Sequence, residues 1–528
     1  PNAKEFANWI QSINNHPVDV VEYHKRAVPL KHLVFDKVAG LTDIDTLDGV
    51  IKEQKKSGLP ATAGKQKRPK KGKKGKREQK PQSVAASHIE LVEELRDQNL
   101  LPSIFFVFSR AGCQDKAAEL ARKHDLVTSQ EKERILQIYQ EKITPETKEM
   151  GTTRLLRKVI VKGIGIHHAG LLPVLKEIVE ELFAEGLIKV LYTTETFAVG
   201  INMPAKAVCF NSVQKYDGIQ FRYLNTKEYF QLAGRAGRRG IDTIGYSIVM
   251  IDRSKISVPK LRKVTDRDVE PIRSQFKLSY NTILNILYRH SEKEAIFILK
   301  SNFDYYVRKK QSKTAIRVVT SYKHKVHQLI KKGYLTEPGK EDYMQQQIQQ
   351  VNESGDKDDK HYELTEKGNF ARFIYGNELL ITEIVFSDFF MKLSDEDIVV
   401  LIAALEYEQR RMDKFKTKEH KKRALKLIDQ ISQNHFVEKE INKMNIIRLY
   451  SLVKLWLDGA EFSELLDVTN LLEGDIIRMF RRIIDILRQI KHATTDTTLR
   501  DRMTVVMKQI DRDLIAFEFP GEEIVEEL

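Results

Sequence analysis

The stretch "GIGIHHAGLLPVLKEIVEELFAEGLIKVLYTT" (163–194) holds an apolar run, an amphipathic middle and a second apolar run. In the middle segment, "LLPVLKEIVEELFAEG" (171–186), Leu175, Ile178, Val179, Leu182 and Phe183 recur at i, i+3, i+4, i+7 and i+8, the spacing of one helix face. Pro173 lies near its start and Gly186 suits its C-terminal cap. The flanking runs "KVIVKGIGI" (158–166) and "KVLYTT" (189–194) read as buried strands. Outward from there, "SIFFVFS" (103–109), "AVCFN" (207–211) and "GYSIVMI" (245–251) repeat the texture, with helical stretches between them. Buried strands alternating with amphipathic helices imply a mostly parallel sheet covered on both faces. Such an α/β domain carries its working residues on loops beyond the strand ends.

The rest of the chain is organised around that domain. Lys4–Ile13 reads as a short helix and "VPLKHLVF" as an extended segment, together too little for a domain. From about Thr42 to Ala86 the chain turns polar and reads as a linker or surface insertion. Within it, "KQKRPKKGKKGKREQK" (65–80) holds ten Lys/Arg and one Glu, and is expected to be disordered, with auxiliary phosphate contact as its use. Beyond Val264 helices dominate. Residues 270–376 read as a winged-helix pattern, with a wing over "GYLTEPGKEDYMQQQ…KHYELTEKGNFAR" and a charged tip at 351–360, in a spacer role. From Asn377 everything reads helical, with Ser394 placed to cap a helix whose third residue is Asp397.

A chain of 528 residues with 41 % hydrophobic content can bury several cores. No run reaches the ~18 apolar residues of a membrane span, and no signal peptide is visible. Cys113 and Cys209 are too few for a disulfide framework or a multi-cysteine zinc site, so no metal site is expected and a reducing compartment, cytoplasmic or nuclear, is. Of the net charge of +14, the 65–80 run supplies +9, which leaves 14 − 9 = +5 for the remainder. A polyanionic partner, nucleic acid above all, suits that balance.

Four loops carry the candidate chemistry. "FFVFSRAGC" (105–113) ends a strand on Ser109 and Arg110, and "GIGIHHAGLLP" (163–173) places His167, His168, Ala169 and Gly170 at a helix start, where backbone N–H groups attract phosphate. "YTTETFAVGINMPA" (192–205) ends in Gly200, Asn202 and Pro204. These hydroxyls, amides and a guanidinium are the donors that grip a sugar–phosphate backbone without reading bases. The fourth, "EYFQLAGRAGRRGID" (228–242), sets Arg235 and Arg238 three apart, on neighbouring turns of one helix face, with Gly234 and Gly237 clearing space beside them.

In this order and spacing the array resembles the second RecA-like domain of superfamily-two helicases, specifically the Ski-type DExH-box family of superkiller and exosome-cofactor helicases. "PSIFFVFSRAGC" resembles that family's motif IV, "GIGIHHAGLLP" its post-IV motif, "VLYTTETFAVGINMPA" motif V and "QLAGRAGRRGID" motif VI. The likeness is dense over about 100–250. "SQFKLSYNTILNIL" (274–287) and the C-terminal helices resemble the family's winged helix and helical bundle, and "PNAKEFANWI" resembles the segment after its motif III. The resemblance implies an α/β plus mostly α architecture: 1–35 as the tail of a first RecA-like domain, 36–84 a linker, 85–262 the second RecA-like domain, 263–376 a winged helix and 377–528 a helical bundle.

It also implies roles. Gln231, Arg235 and Arg238 would face the ATP γ-phosphate, the two arginines as fingers, with Gly200 and Asn202 near the nucleotide. Ser109, Arg110, His168, Gly170 and Thr194 would hold single-stranded RNA through its phosphates. The helix "EGDIIRMFRRIIDILRQI" (473–490) matches the family's ratchet helix, with Arg482 and Asp485 as strand contacts opposite the stripe Ile476, Phe480, Ile483, Leu487 and Ile490. Asp217-Gly218 is a two-residue hairpin signal, at the place where related helicases carry a strand-separating wedge, although a tight structural turn reads equally well.

Two features depart from the family. No G-x-x-x-x-G-K-[ST] phosphate loop occurs and no DExH tetrad follows a strand, since "DEDI" (395–398) opens a helix. The chain therefore reads as the C-terminal portion of a longer helicase, with ATP and Mg²⁺ held mainly by a domain outside it and no ATP hydrolysis expected of the chain alone. "SNFDYYVRKKQSKTAIRVV" (301–319) leaves little room for the arch insertion of exosome-cofactor members, which suggests an arch-less relative, a prokaryotic one included. The leading reading is an ATP-dependent RNA helicase acting on single strands and overhang duplexes, with RNA-decay machinery as partner and no membrane. A DNA-repair helicase and a non-catalytic single-strand-binding module are the alternatives.

Overall fold

The computed structural model describes residues 2–23, 25–56, 86–195, 203–217, 220–253, 256–266, 271–310, 316–337, 360–410 and 412–516. The 65–80 run, Gly200, Asn202 and the 351–359 wing tip therefore lie outside the described residues. The chain divides into two compact units. One spans Val21–Pro271, and the other joins Asn2–Val20 to Ile272–Leu528. Among the described residues no helix is long and apolar enough to cross a membrane.

The first unit is the expected α/β domain. Its seven-stranded sheet uses β1 (Leu30–Asp36), β2 (Gly40–Thr42), β3 (Ser103–Phe106), β4 (Ile164–His167), β5 (Val190–Thr193), β6 (Ala207–Phe210) and a last strand, Gly245–Met250, in the order β2-β1-last-β6-β3-β5-β4. Every pairing is parallel except β1–β2. Strands β3, β4, β5 and β6 are buried along their whole length, the apolar signature of a sheet covered on both faces. The helix Pro173–Ala184 buries the five apolar residues of its stripe, and Gly186 follows its end at φ +73°.

The expected boundaries move. Residues 30–35, read as the tail of another domain, pair in parallel with Gly245–Met250 and complete this sheet. Asp36 at the end of β1 is buried and clamped by Arg253 just past the last strand, at 2.8 Å to Nε. The N-terminal helix Ala3–Asn14 belongs instead to the second unit, where Phe6 and Trp9 meet Phe303 at ring separations of 5.1 and 5.2 Å. Lys158–Ile160 also differs from the expected strand: it ends the helix Gly151–Ile160, and β4 starts only at Ile164.

In the second unit, the helices Tyr280–Leu287, Glu292–Lys300 and Ile316–Lys331 enclose a core of Ile283, Leu287, Leu299, Tyr322 and Leu329. The wing strands are short, Leu335–Thr336 against Glu363–Leu364, because Thr365 caps a new helix, Glu366–Ala371, where strand was expected. Helices then run to Ile510, and Ser394 accepts the Asp397 N–H as its capping residue. The longest, Glu473–Ala493, buries Ile476, Phe480, Ile483, Leu487 and Ile490 beside Trp456.

Candidate nucleotide and nucleic-acid site

The arginine loop is built by a helix that stops early. Asn225 and Glu228 form a capping box at the start of Thr226–Ala233, and the helix ends at Gly234. Arg235 and Arg238 consequently do not lie on neighbouring helical turns, as their spacing suggested; both sit in the loop beyond. Gly237, at φ +88°, turns the chain there, and its missing Cβ lets the backbone pass Val28, whose Cγ1 lies 2.6 Å from where a Cβ would be. The glycine clears space for chain packing, not for the arginines.

The loop is then tied to the sheet. Ala205 donates its N–H to the Arg235 carbonyl at 2.9 Å, and Gly237 donates to the Ala205 carbonyl at 2.7 Å, making a parallel bridge at Ala236. Gly245 on the last strand packs so closely that a Cβ there would meet the Ala236 carbonyl at 2.6 Å. Gln231 is exposed and Arg235 half-buried, where desolvation pulls its pKa down. Arg238 is clamped by Asp242: Nε donates to Oδ2 and Nη2 to Oδ1, both at 2.9 Å. That hydrogen bonding holds the arginine's pKa above its ordinary value and the aspartate's below. Arg239 is exposed.

Two contacts to this region had no signal in the sequence. Arg26 Nη2 donates to the carbonyls of Gly234 at 2.8 Å and Ala236 at 2.6 Å. Behind the helix, His32 on β1 and Ser247 on the last strand each lie 2.7 Å from the Tyr229 hydroxyl. Burial, then the Arg26 charge, lowers the His32 pKa. Neither group could be found without knowing that β1 lies beside the last strand.

The strand-end loops sit at the carboxyl edges of β3, β4 and β5, adjacent strands in the sheet. Ser109 caps the helix Arg110–Lys123 by accepting from the Gly112 N–H at 3.2 Å, which leaves Arg110 on its first turn. His168 and Gly170 differ from expectation. The next helix begins only at Pro173, and His168 is fully buried, its Nδ1 accepting the Gly170 N–H at 3.2 Å and its Nε2 3.3 Å from Gln114 Nε2. The amide expected to meet phosphate is already bonded, so His168 shapes the loop from inside. Thr194 is half-buried, its N–H directed to the His167 carbonyl at 3.4 Å.

The hairpin exists, with β7 (Gln214–Tyr216) against β8 (Phe221–Tyr223), but residues 217–220 connect the strands, four where two were expected. Asp217 Oδ1 accepts the Gln220 N–H at 2.8 Å. At the hairpin's base Lys215 and Arg222 converge on Glu228; burial opposes ionisation of that carboxyl, but the Arg222 and Lys215 bonds outweigh it and bring its pKa to about 2. Tyr216 and Phe221 stand exposed at the other end, ring centroids 5.5 Å apart.

On Glu473–Ala493, Arg478, Arg482 and Asp485 are exposed opposite the buried stripe. Arg482 pairs with Glu406 at 2.5 Å, and Asp485 accepts from Gln489 at 2.9 Å. Arg478 and Arg482 line a pocket of about 250 Å³ with Arg410, Tyr407 and Asp475.

Comparison with known proteins adds to this reading. Residues 116–240 match the helicase conserved C-terminal domain, and residues 361–518 match the DSHCT (NUC185) domain. Over these residues the chain is similar to the Ski-type DExH helicases. It is 38 % identical over 296 residues to mRNA transport homolog 4 of Caenorhabditis elegans, a match over 54 % of this chain and 28 % of that one. It is 36 % identical over 310 residues to the exosome RNA helicase MTR4 of Mus musculus, covering 57 % and 29 %. Against superkiller complex protein 2 of Homo sapiens it is 35 % identical over 325 residues, covering 59 % and 26 %. The chain thus spans less than a third of the length of the curated relatives it matches.

Proposed function

We propose that this chain is the second-RecA, winged-helix and helical-bundle portion of an ATP-dependent RNA helicase, which moves along single-stranded RNA and opens duplexes bearing an overhang. The observation that carries the reading is the bolted arginine loop: Gln231 on the last turn of a helix, and Arg235 and Arg238 on the tied loop that follows it, stand where a motif VI belongs. Its donors fit a polyphosphate, because a guanidinium held in place stabilises the charge that develops on a transferring phosphoryl group. Mg²⁺ and the phosphate loop belong to the domain that this sequence lacks, and Gly200 and Asn202 complete the nucleotide side in the proposal.

The RNA contacts of the α/β unit would be Ser109, Arg110 and Thr194 at the carboxyl edges of β3, β4 and β5, and those of the helical unit Arg482 and Asp485, while the Gly170 amide stays bonded to His168. His168 acts there as a buried support. The exposed pair Tyr216 and Phe221, on a hairpin braced at its base, suits a wedge against the first base pair. RNA as substrate and RNA-decay assemblies as partners are supported by the names of the relatives. With only residues 311–315 between the helices Phe303–Lys310 and Ile316–Lys331, an arch-less form fits the chain. The test is ATP turnover and unwinding by the full-length protein on matched RNA and DNA duplexes with 3′ overhangs. RNA-stimulated turnover supports the reading; stimulation by DNA alone, or by neither, overturns it.

A further inference from the structure

The arginine loop carries two fixtures that phosphate contact itself does not require. The Asp242 carboxylate is only 4 % exposed, and all three bonds it accepts within the loop come from Arg238: the backbone N–H at 2.8 Å, Nε at 2.9 Å and Nη2 at 2.9 Å. A guanidinium has five donors in a fixed planar fork, so binding its Nε–Nη2 edge dictates where the Nη1 edge faces. Among the described residues Asp242 is the only partner of that fork. Arg26 does the same for the backbone. One nitrogen, Nη2, spans the carbonyls of Gly234 and Ala236, the residues on either side of Arg235. Arg26 precedes β1, more than 200 positions away in sequence, so the tie is tertiary.

We propose that Asp242 and Arg26 are positioning residues that preset the two arginines, Asp242 by orienting the Arg238 fork and Arg26 by fixing the chain around Arg235. The proposal rests on the helicase reading above. Groups aimed before the reaction cost no reorganisation when charge develops, whereas a displacement of about 1 Å forfeits ~10²-fold in rate. Neither residue needs to touch the nucleotide.

The experiment uses the full-length protein and two double-mutant cycles. Asp242→Asn, isosteric and uncharged, lowers kcat by ~10- to 100-fold while ADP affinity stays within about threefold. Affinity for ADP–aluminium fluoride, a mimic of the transferring phosphoryl group, falls with kcat. On an Arg238→Ala background the same substitution adds nothing, because its effect runs through Arg238. Arg26→Met behaves likewise against Arg235→Ala, and Arg26→Lys, which keeps a donor for the carbonyls, restores part of the loss. Thermal unfolding of each variant is followed alongside. Losses that add fully across either cycle, equal losses of ADP and ADP–aluminium fluoride affinity, or an unchanged kcat would overturn the proposal. If Arg235→Ala and Arg238→Ala themselves leave kcat intact, the helicase reading of the loop fails first, and the positioning roles fail with it.

Discussion

Replacing Gly237 by alanine tests whether the arginine loop is built as described. Gly237 has φ +88°, and an L-residue held in the left-handed region costs ~1–2 kcal/mol. Its new Cβ would also lie 2.6 Å from Val28 Cγ1 and 3.0 Å from Val28 Cβ, and overpacking of this kind adds ~1–3 kcal/mol. The sum is ~2–5 kcal/mol. Gly240 supplies an internal control: its φ is +78°, but no atom lies within 4 Å of a Cβ there. Gly240→Ala should therefore cost only the backbone part, ~1–2 kcal/mol.

Hydrogen exchange read by mass spectrometry on peptides from 228–250 separates the two. At a tenfold change per ~1.4 kcal/mol, the clash component of ~1–3 kcal/mol appears as ~5- to 150-fold less protection in Gly237→Ala than in Gly240→Ala. Adding Val28→Ala to Gly237→Ala removes the Cγ1 contact at 2.6 Å and should return most of that difference, leaving the backbone part and the 3.0 Å approach to the Val28 Cβ. Both tryptophans, Trp9 and Trp456, belong to the other unit, so their fluorescence follows its unfolding separately. Equal protection in the two alanine variants, or no recovery with Val28→Ala, would refute the close approach of the loop to the segment before β1.

His88 is buried at 3 % exposure, and burial, with Lys116 and Lys123 nearby, pushes its pKa from 6.5 to about 3. Its folded pKa lies below its unfolded one, so its contribution is complete above pH 6.5 and drains as pH falls toward 3, at up to ~1.4 kcal/mol per pH unit. His88→Gln should flatten the stability–pH profile of the α/β unit in that window, as read by exchange at several pH values. Tyr216→Ala with Phe221→Ala should leave RNA-stimulated ATP turnover within about twofold while unwinding falls ~10-fold or more, since stacking on an aromatic is worth ~1–3 kcal/mol per base. Arg482→Ala should weaken single-stranded RNA binding at every sequence alike and reduce the salt slope by ~0.7, the contribution of one phosphate contact on a single strand.

Local periodicity and composition carried most of the fold. The strands β3 to β6 announced themselves as apolar runs, and the 173–184 helix as a stripe, because burial on both faces of a sheet or one face of a helix leaves a local pattern. β1 was legible as extended chain only. Its place beside Gly245–Met250 is a pairing across more than 200 residues, and nothing local in "VPLKHLVF" encodes a partner. The same non-locality hid Arg26, His32 and Arg253. The arginine loop shows the opposite error. The i, i+3 spacing of Arg235 and Arg238 reads as helical, yet the helix ends at Gly234, and Gly237 and Gly240, both at positive φ, turn the chain, where glycine's conformational freedom outweighs periodicity. At His168, residue type suggested a phosphate contact. What decided otherwise was full burial with both ring nitrogens facing protein groups, which depends on Gln114 fifty-four positions away.

The account centres on Arg235 and Arg238 as groups that act on a transferring phosphoryl group. The most direct measurement is RNA-stimulated ATP turnover by the full-length protein carrying Arg238→Ala, with ADP affinity determined in parallel. The predicted result is a fall in kcat of ~10³-fold or more, the scale of a lost arginine finger, with ADP affinity changed by less than about threefold. Turnover equal to that of the unaltered protein would contradict it.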